Sequence, residues 1–168
     1  MEPERQTKET KIMGYSHYIQ RNIARSGGLA TYGRFTKGVE RIFAEAKTRG
    51  IEIGDAMGET ATPEITETRV AFNGMGDDAH ETFSWHAVSP LPPIYAAGEP
   101  MLFDFCKTAQ KPYDTVVVAV LLWLKDCYTD AVEISSDGYW SEWYDGRDLF
   151  RTVFGFEAEA PFELEVTT

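Results

Sequence analysis

An α+β fold, with one antiparallel sheet carrying two main helices on one face, is what this 168-residue sequence predicts. Three observations predict it. Apolar residues recur at helical spacing in two stretches, about 35–49 and 112–128. Short runs rich in β-branched and aromatic residues, bounded by Gly, Asn and Pro, lie around them and read as strands. Their order is strand, helix, strands, helix, strand. The length suits one domain, able to bury roughly 70% of the surface its unfolded chain exposes. The expected division is a disordered tail over 1–12, a single domain over 13–156, and an acidic edge strand or tail over 157–168.

Residues 1–11 are charged and have no aliphatic side chain after Met1, so burial cannot offset the cost of ordering them. Met13 is a candidate start. The opening strand is Gly14 to Ile19, and Arg25 to Gly33 is a Gly-bearing loop. Thr36 is then expected to cap a helix whose stripe is Phe35, Val39, Ile42, Phe43 and Ala46, closed by Gly50. Ile51–Ile53 is expected to start another strand, and 54–63 is a loop. Residues 64–72 and 80–87 form a hairpin across Asn73-Gly74, with Phe83 and Trp85 facing one way and His80, Ser84 and His86 the other. The Pro-rich segment 89–100 is a crossing loop.

The central helix, 112–128, begins at Pro112, where a missing N–H costs nothing, and carries Asp114 at the positive end of its dipole. Its nine-residue apolar run from Val116 to Leu124 is far short of the about 20 residues a bilayer needs, so it is core. A strand over 131–135 ends in Ser136-Asp137-Gly138. Aromatic residues from Tyr139 to Phe156 then crowd together without an assigned element.

Cys106 and Cys127 show no C-x-x-C spacing, and with no signal peptide or membrane segment the expected compartment is the cytoplasm. A net charge of −11 disfavours direct nucleic-acid binding, which leaves a basic footprint on a chain. It suits solubility or a basic protein partner.

The chemistry concentrates ahead of the central helix. Lys107, Lys111 and Thr108 beside a helix N-terminus make an anion site of ordinary design, for phosphate or carboxylate. Phe103, Phe105 and Tyr113 offer rings for a base to stack on. Taken singly, each residue is as well explained by solvation, core packing or a turn. Cys106, with His17 or His80 as its base, is an enzymatic alternative that the spacing does not demonstrate. His80 with Asp77, Asp78 and Glu81 raises a metal site, but His80 and His86 would stand roughly 20 Å apart on one strand, too far for one ion. No catalytic residue, metal or cofactor is assigned, since phosphate-loop, dinucleotide, zinc and nucleophile-elbow patterns are absent.

Five segments carry a resemblance: Met13-Gly-Tyr-Ser-His-Tyr18, Phe72-Asn-Gly74, His80-Glu-Thr-Phe83, Phe103-Asp-Phe-Cys-Lys-Thr108 with Lys111-Pro-Tyr-Asp114, and Ser136-Asp-Gly138. Together, over about 13–145, they resemble a family of small uncharacterised proteins encoded by bacteriophages and bacteria. Ile19 departs from the pattern, which has an aromatic residue there, and the C-terminal tail has no counterpart. The resemblance implies no reaction, but it implies an accessory role in host interaction or counter-defence. The resulting expectation is a protein that sequesters a small anionic ligand, a nucleotide being the preferred candidate, through Phe103, Phe105, Cys106, Lys107, Thr108, Lys111, Tyr113, His17 and His80. The alternatives are an acidic inhibitor of a host protein and a cysteine- or metal-dependent hydrolase of a small phosphorylated substrate. Homo-oligomers are compatible with all three.

Overall fold

The computed structural model describes residues 14–164. Residues 1–13, which contain the expected tail and the candidate start, lie outside the described residues, as do 165–168. The chain runs β1 (Ser16–Asn22), α1 (Leu29–Thr48), β2 (Glu64–Ile65), β3 (Arg69–Phe72), β4 (Phe83–His86), β5 (Ile94–Ala96), β6 (Glu99–Lys107), α2 (Asp114–Tyr128), β7 (Val132–Ser136) and α3 (Tyr144–Phe154). The fold is α+β, as the sequence predicts, and it is built on two antiparallel sheets.

The larger sheet has the order β5-β6-β1-β7. Setting the small sheet β2-β3-β4 aside as an insertion after α1, the remaining elements follow the split βαβ pattern, with β1 and β6 in the centre. The pleat decides which face is which. Ile19 on β1, Cys106 on β6 and Val132 and Ile134 on β7 are buried in the core with α1 and α2. Tyr18, Phe103, Phe105, Glu133 and Ser135 point the other way and are exposed.

Helix α2 is buried on nearly every side. Val116 to Leu124 all belong to the core, and α1, α3 and β7 pack around them. The helix begins at Asp114, with Pro112 in the preceding turn. Helix α1 starts at Leu29, earlier than expected, because Tyr32 is already a core residue that rewards extending it. Thr36 therefore sits inside the helix, its hydroxyl donating to the Gly33 carbonyl at 3.1 Å, and Gly28 is the cap.

Four further departures are local. Ile51–Ile53 forms no strand, and only Gly54 bridges to Asn73. Asn73-Gly74 does not make a two-residue turn; the Asn73 amide instead organises the connection, donating to the Ala56 and His80 carbonyls and accepting from the Gly74 and His80 N–H groups. Helix α3, unassigned from sequence, presents Gly146, Leu149 and Phe150 inward. Residues 157–164 form no strand: Phe162 folds back edge-on against Trp140 and Trp143, with ring centroids 6.0 and 5.1 Å away.

Candidate functional site

Three of the five quoted segments, those carrying His17, Thr108 with Asp114, and Ser136, meet at the end of the sheet where β1, the start of α2 and the end of β7 come together. His17, fully buried on the helix side of β1, has Nε2 2.6 Å from Asp114 Oδ1 and Nδ1 2.8 Å from Ser136 Oγ. The Thr108 hydroxyl donates to the same Asp114 oxygen at 2.6 Å. Ser136 Oγ also accepts from the Gly138 N–H at 2.9 Å and the Trp143 indole at 3.3 Å. Those two donors fill the lone pairs of the hydroxyl, so its own proton goes to His17 Nδ1 and the Nε2 proton goes to Asp114. Serine, histidine and carboxylate are the residue types of a hydrolase triad. Here the serine oxygen has no free lone pair to attack with, and the relay works as a pin between β1, α2 and β7.

Beside the pin, Tyr15 is buried with no partner for its hydroxyl among the described residues. Burial, then the nearby Asp114 and Glu142 carboxylates, push its pKa up to about 12. On the opposite face, Asp137 accepts from the Ser16 N–H at 2.9 Å and from the Tyr18 hydroxyl at 3.1 Å, which fixes the Tyr18 ring.

The structure divides the residues proposed from sequence into two groups, with His80 and Lys111 in neither. Cys106, Thr108, Tyr113 and His17 lie in the interior. The Cys106 thiol contacts the Glu81 carbonyl, and its pKa is driven upward by burial and then by Glu81, Asp114 and Asp104, the reverse of an activated nucleophile. Neither histidine serves it: the two ring nitrogens of His17 face Asp114 and Ser136, and His80 Nδ1 is 2.7 Å from the Lys107 carbonyl. Tyr113 donates to the Glu81 carbonyl at 2.6 Å, and burial raises its pKa. The first turn of α2 already carries the Asp114 carboxylate. Lys111 reaches away, to the Asp77 carbonyl at 3.0 Å. No group of three or more His, Cys, Asp or Glu side chains among the described residues is arranged to hold a metal ion.

Phe103, Phe105 and Lys107 form the second group, on the open face of β6. Tyr18 stands directly across from Phe105, and Gln20 across from Phe103. The rings are 40% (Tyr18), 51% (Phe103) and 57% (Phe105) exposed. Ile94, paired with Met101, extends this face to the β5 edge and is also exposed. Cross-strand neighbours of this kind stand about 5 Å apart, so Tyr18 and Phe105 project side by side, with Phe103 two residues along β6 on the same face. Sequence reasoning missed Tyr18 because only the β1–β6 register brings it beside Phe105. Comparison with protein-family models, curated proteins and solved structures gave no match. No helix among the described residues is long and apolar enough to cross a membrane.

Proposed function

We propose that the protein is a binding protein that sequesters a small anionic ligand carrying an aromatic ring, a nucleotide, on the open face of its larger sheet. The observation that carries this reading is the platform of Tyr18, Phe103 and Phe105, three exposed rings in register on strands whose other face is core. A base stacked on such rings gains about 1–3 kcal/mol per contact. Lys107 lies on the same face at the end of β6, with no ion pair among the described residues, and supplies a charge for phosphate. The net charge of −11 favours a mononucleotide or dinucleotide over a polymer, whose many phosphates would be repelled. Sequestration in host interaction or counter-defence agrees with the family resemblance.

Thermal denaturation with a panel of mono- and dinucleotides tests the reading. A ligand that binds only the folded chain raises the melting temperature, by an amount that grows with its concentration. The bound compound should be recovered unchanged. A panel that leaves the melting temperature unmoved at millimolar concentration removes the proposal. A second reading, inhibition of a host protein through the β5 edge beside that face, is favoured by the exposed apolar side chains of Val88, Leu91, Ile94 and Tyr95 there.

A further inference from the structure

On the other side of the sheet, Arg21 is a buried cation without a carboxylate partner among the described residues. It is 6% exposed and takes part in no ion pair there. Its two terminal nitrogens donate to the His86 carbonyl at 2.8 Å and the Ala87 carbonyl at 3.2 Å, and its guanidinium lies 4.2 Å from the centroid of the Trp85 ring and 5.5 Å from that of Tyr128. Carbonyl dipoles and ring faces offset part of the cost of burying the charge, and burial lowers the arginine's pKa. Arg21 Nε–H, Trp85 Nε1–H and the Tyr128 hydroxyl, all buried in this one place, have no hydrogen-bond partner among the described residues. Buried donors are ordinarily satisfied. The Tyr128 hydroxyl can itself accept from the neighbouring Trp85 indole, so the donor left without an acceptor is Arg21 Nε–H, on a cation with no carboxylate partner among the described residues, and an anion would complete it.

Arg21 and Trp85 line a cavity of about 300 Å³, at the lower end of the size range of small-molecule sites. Leu91 and Leu102 add apolar wall, and Asp104 a carboxylate. That carboxylate opposes a doubly charged phosphate, whereas a singly charged group directed at Arg21 has an apolar body to seat against the leucines and Trp85. We infer that this cavity binds a small organic monoanion, a carboxylate with an apolar body, through Arg21. Arg21 enters the cavity from the helix side of the sheet, while Phe103, whose ring belongs to the open face proposed for the nucleotide, lies at its rim.

The test uses benzoate and hexanoate, with benzamide and hexanamide as neutral counterparts and inorganic phosphate as the dianion. At millimolar concentration the two carboxylates are expected to raise the melting temperature and change the emission of Trp85, while the amides and phosphate leave both unchanged. Arg21→Met is expected to abolish the shift. Because that variant removes a buried residue, Leu91→Glu gives a second reading: Leu91 is well exposed, so the fold is kept while the new charge at the cavity mouth weakens carboxylate binding at least about tenfold. The inference is overturned if carboxylates give no shift, if amides or phosphate match them, or if Leu91→Glu binds carboxylates as the parent does.

Discussion

Asp114 shows how one side chain serves both local and long-range structure. Its place at the start of α2 is legible in the sequence as an acid complementing the helix dipole. Its acceptance of hydrogen bonds from Thr108 and from His17, 97 positions away, is not, because nothing in local spacing encodes a contact across the sheet. Asp114→Ala leaves a buried imidazole N–H and a buried hydroxyl unpaired, at about 1–3 kcal/mol each. Urea unfolding should therefore show a loss of about 2–6 kcal/mol; a loss below 0.5 kcal/mol would mean that the relay does not pin the fold. Cys106 was a candidate nucleophile by residue type alone, and its burial under Glu81 and Tyr113 depends on register. Its thiol is expected to resist iodoacetamide at pH 8 in the native protein and to react in urea. Rapid alkylation of the folded chain at Cys106 would contradict the buried, raised-pKa environment.

At the scale of elements, α1 and α2 were legible because one has a clean apolar stripe and the other an apolar run bounded by Pro112 and charged residues. Helix α3 was not. Its inward positions, Gly146, Leu149, Phe150 and Val153, do follow helical spacing, but Gly146 reads as a turn residue and the aromatic residues around it obscure the period. Gly146 is small because α2 passes close by: a Cβ there would lie 2.3 Å from a Val118 methyl carbon. Gly38 on α1 is tighter still, since a Cβ would stand 1.9 Å from the Trp123 indole nitrogen, which donates to the Phe35 carbonyl at 3.0 Å. Two effects oppose each other in Gly38→Ala. Helix propensity favours alanine by about 1 kcal/mol, whereas overpacking costs about 1–3 kcal/mol. With rigid indole rather than a flexible chain end in the way, packing wins, and the variant should melt lower than the parent. An equal or higher melting temperature would contradict the α1–α2 packing. Trp123→Ala removes that indole and its stacking on Phe154, 4.1 Å between centroids, and should cost about 3–5 kcal/mol.

Over the whole molecule, the sequence revealed the fold class but not the division of strands between two sheets, since strand order is a property of pairing and not of any one segment. The same holds for the candidate site. Phe103, Phe105 and Lys107 were identified as chemistry on one stretch, yet only strand alternation separates them from Cys106, and only register adds Tyr18. The buried hydroxyls also give the molecule a pH response. Tyr15 and Tyr32 have folded pKa values near 12, above the ordinary value of 10.0, chiefly through burial. The folded chain thus holds these protons more tightly than the unfolded one, so their stabilising contribution is complete below pH 10 and is lost as pH rises from 10 towards 12. Urea midpoints measured across that window should fall steadily; a flat profile would contradict the burial of these two phenols.

The open aromatic face is the centre of the functional account, and calorimetric titration of the best-binding nucleotide into the parent chain and into Phe103→Ser/Phe105→Ser tests it most directly. Both side chains are exposed on the sheet, so the variant should keep the parent's fold by circular dichroism. Two stacking contacts at about 1–3 kcal/mol each predict binding weakened at least about thirtyfold, with Lys107→Met costing about a further tenfold. Unchanged affinity in the folded double variant would contradict the assignment of the nucleotide to this face.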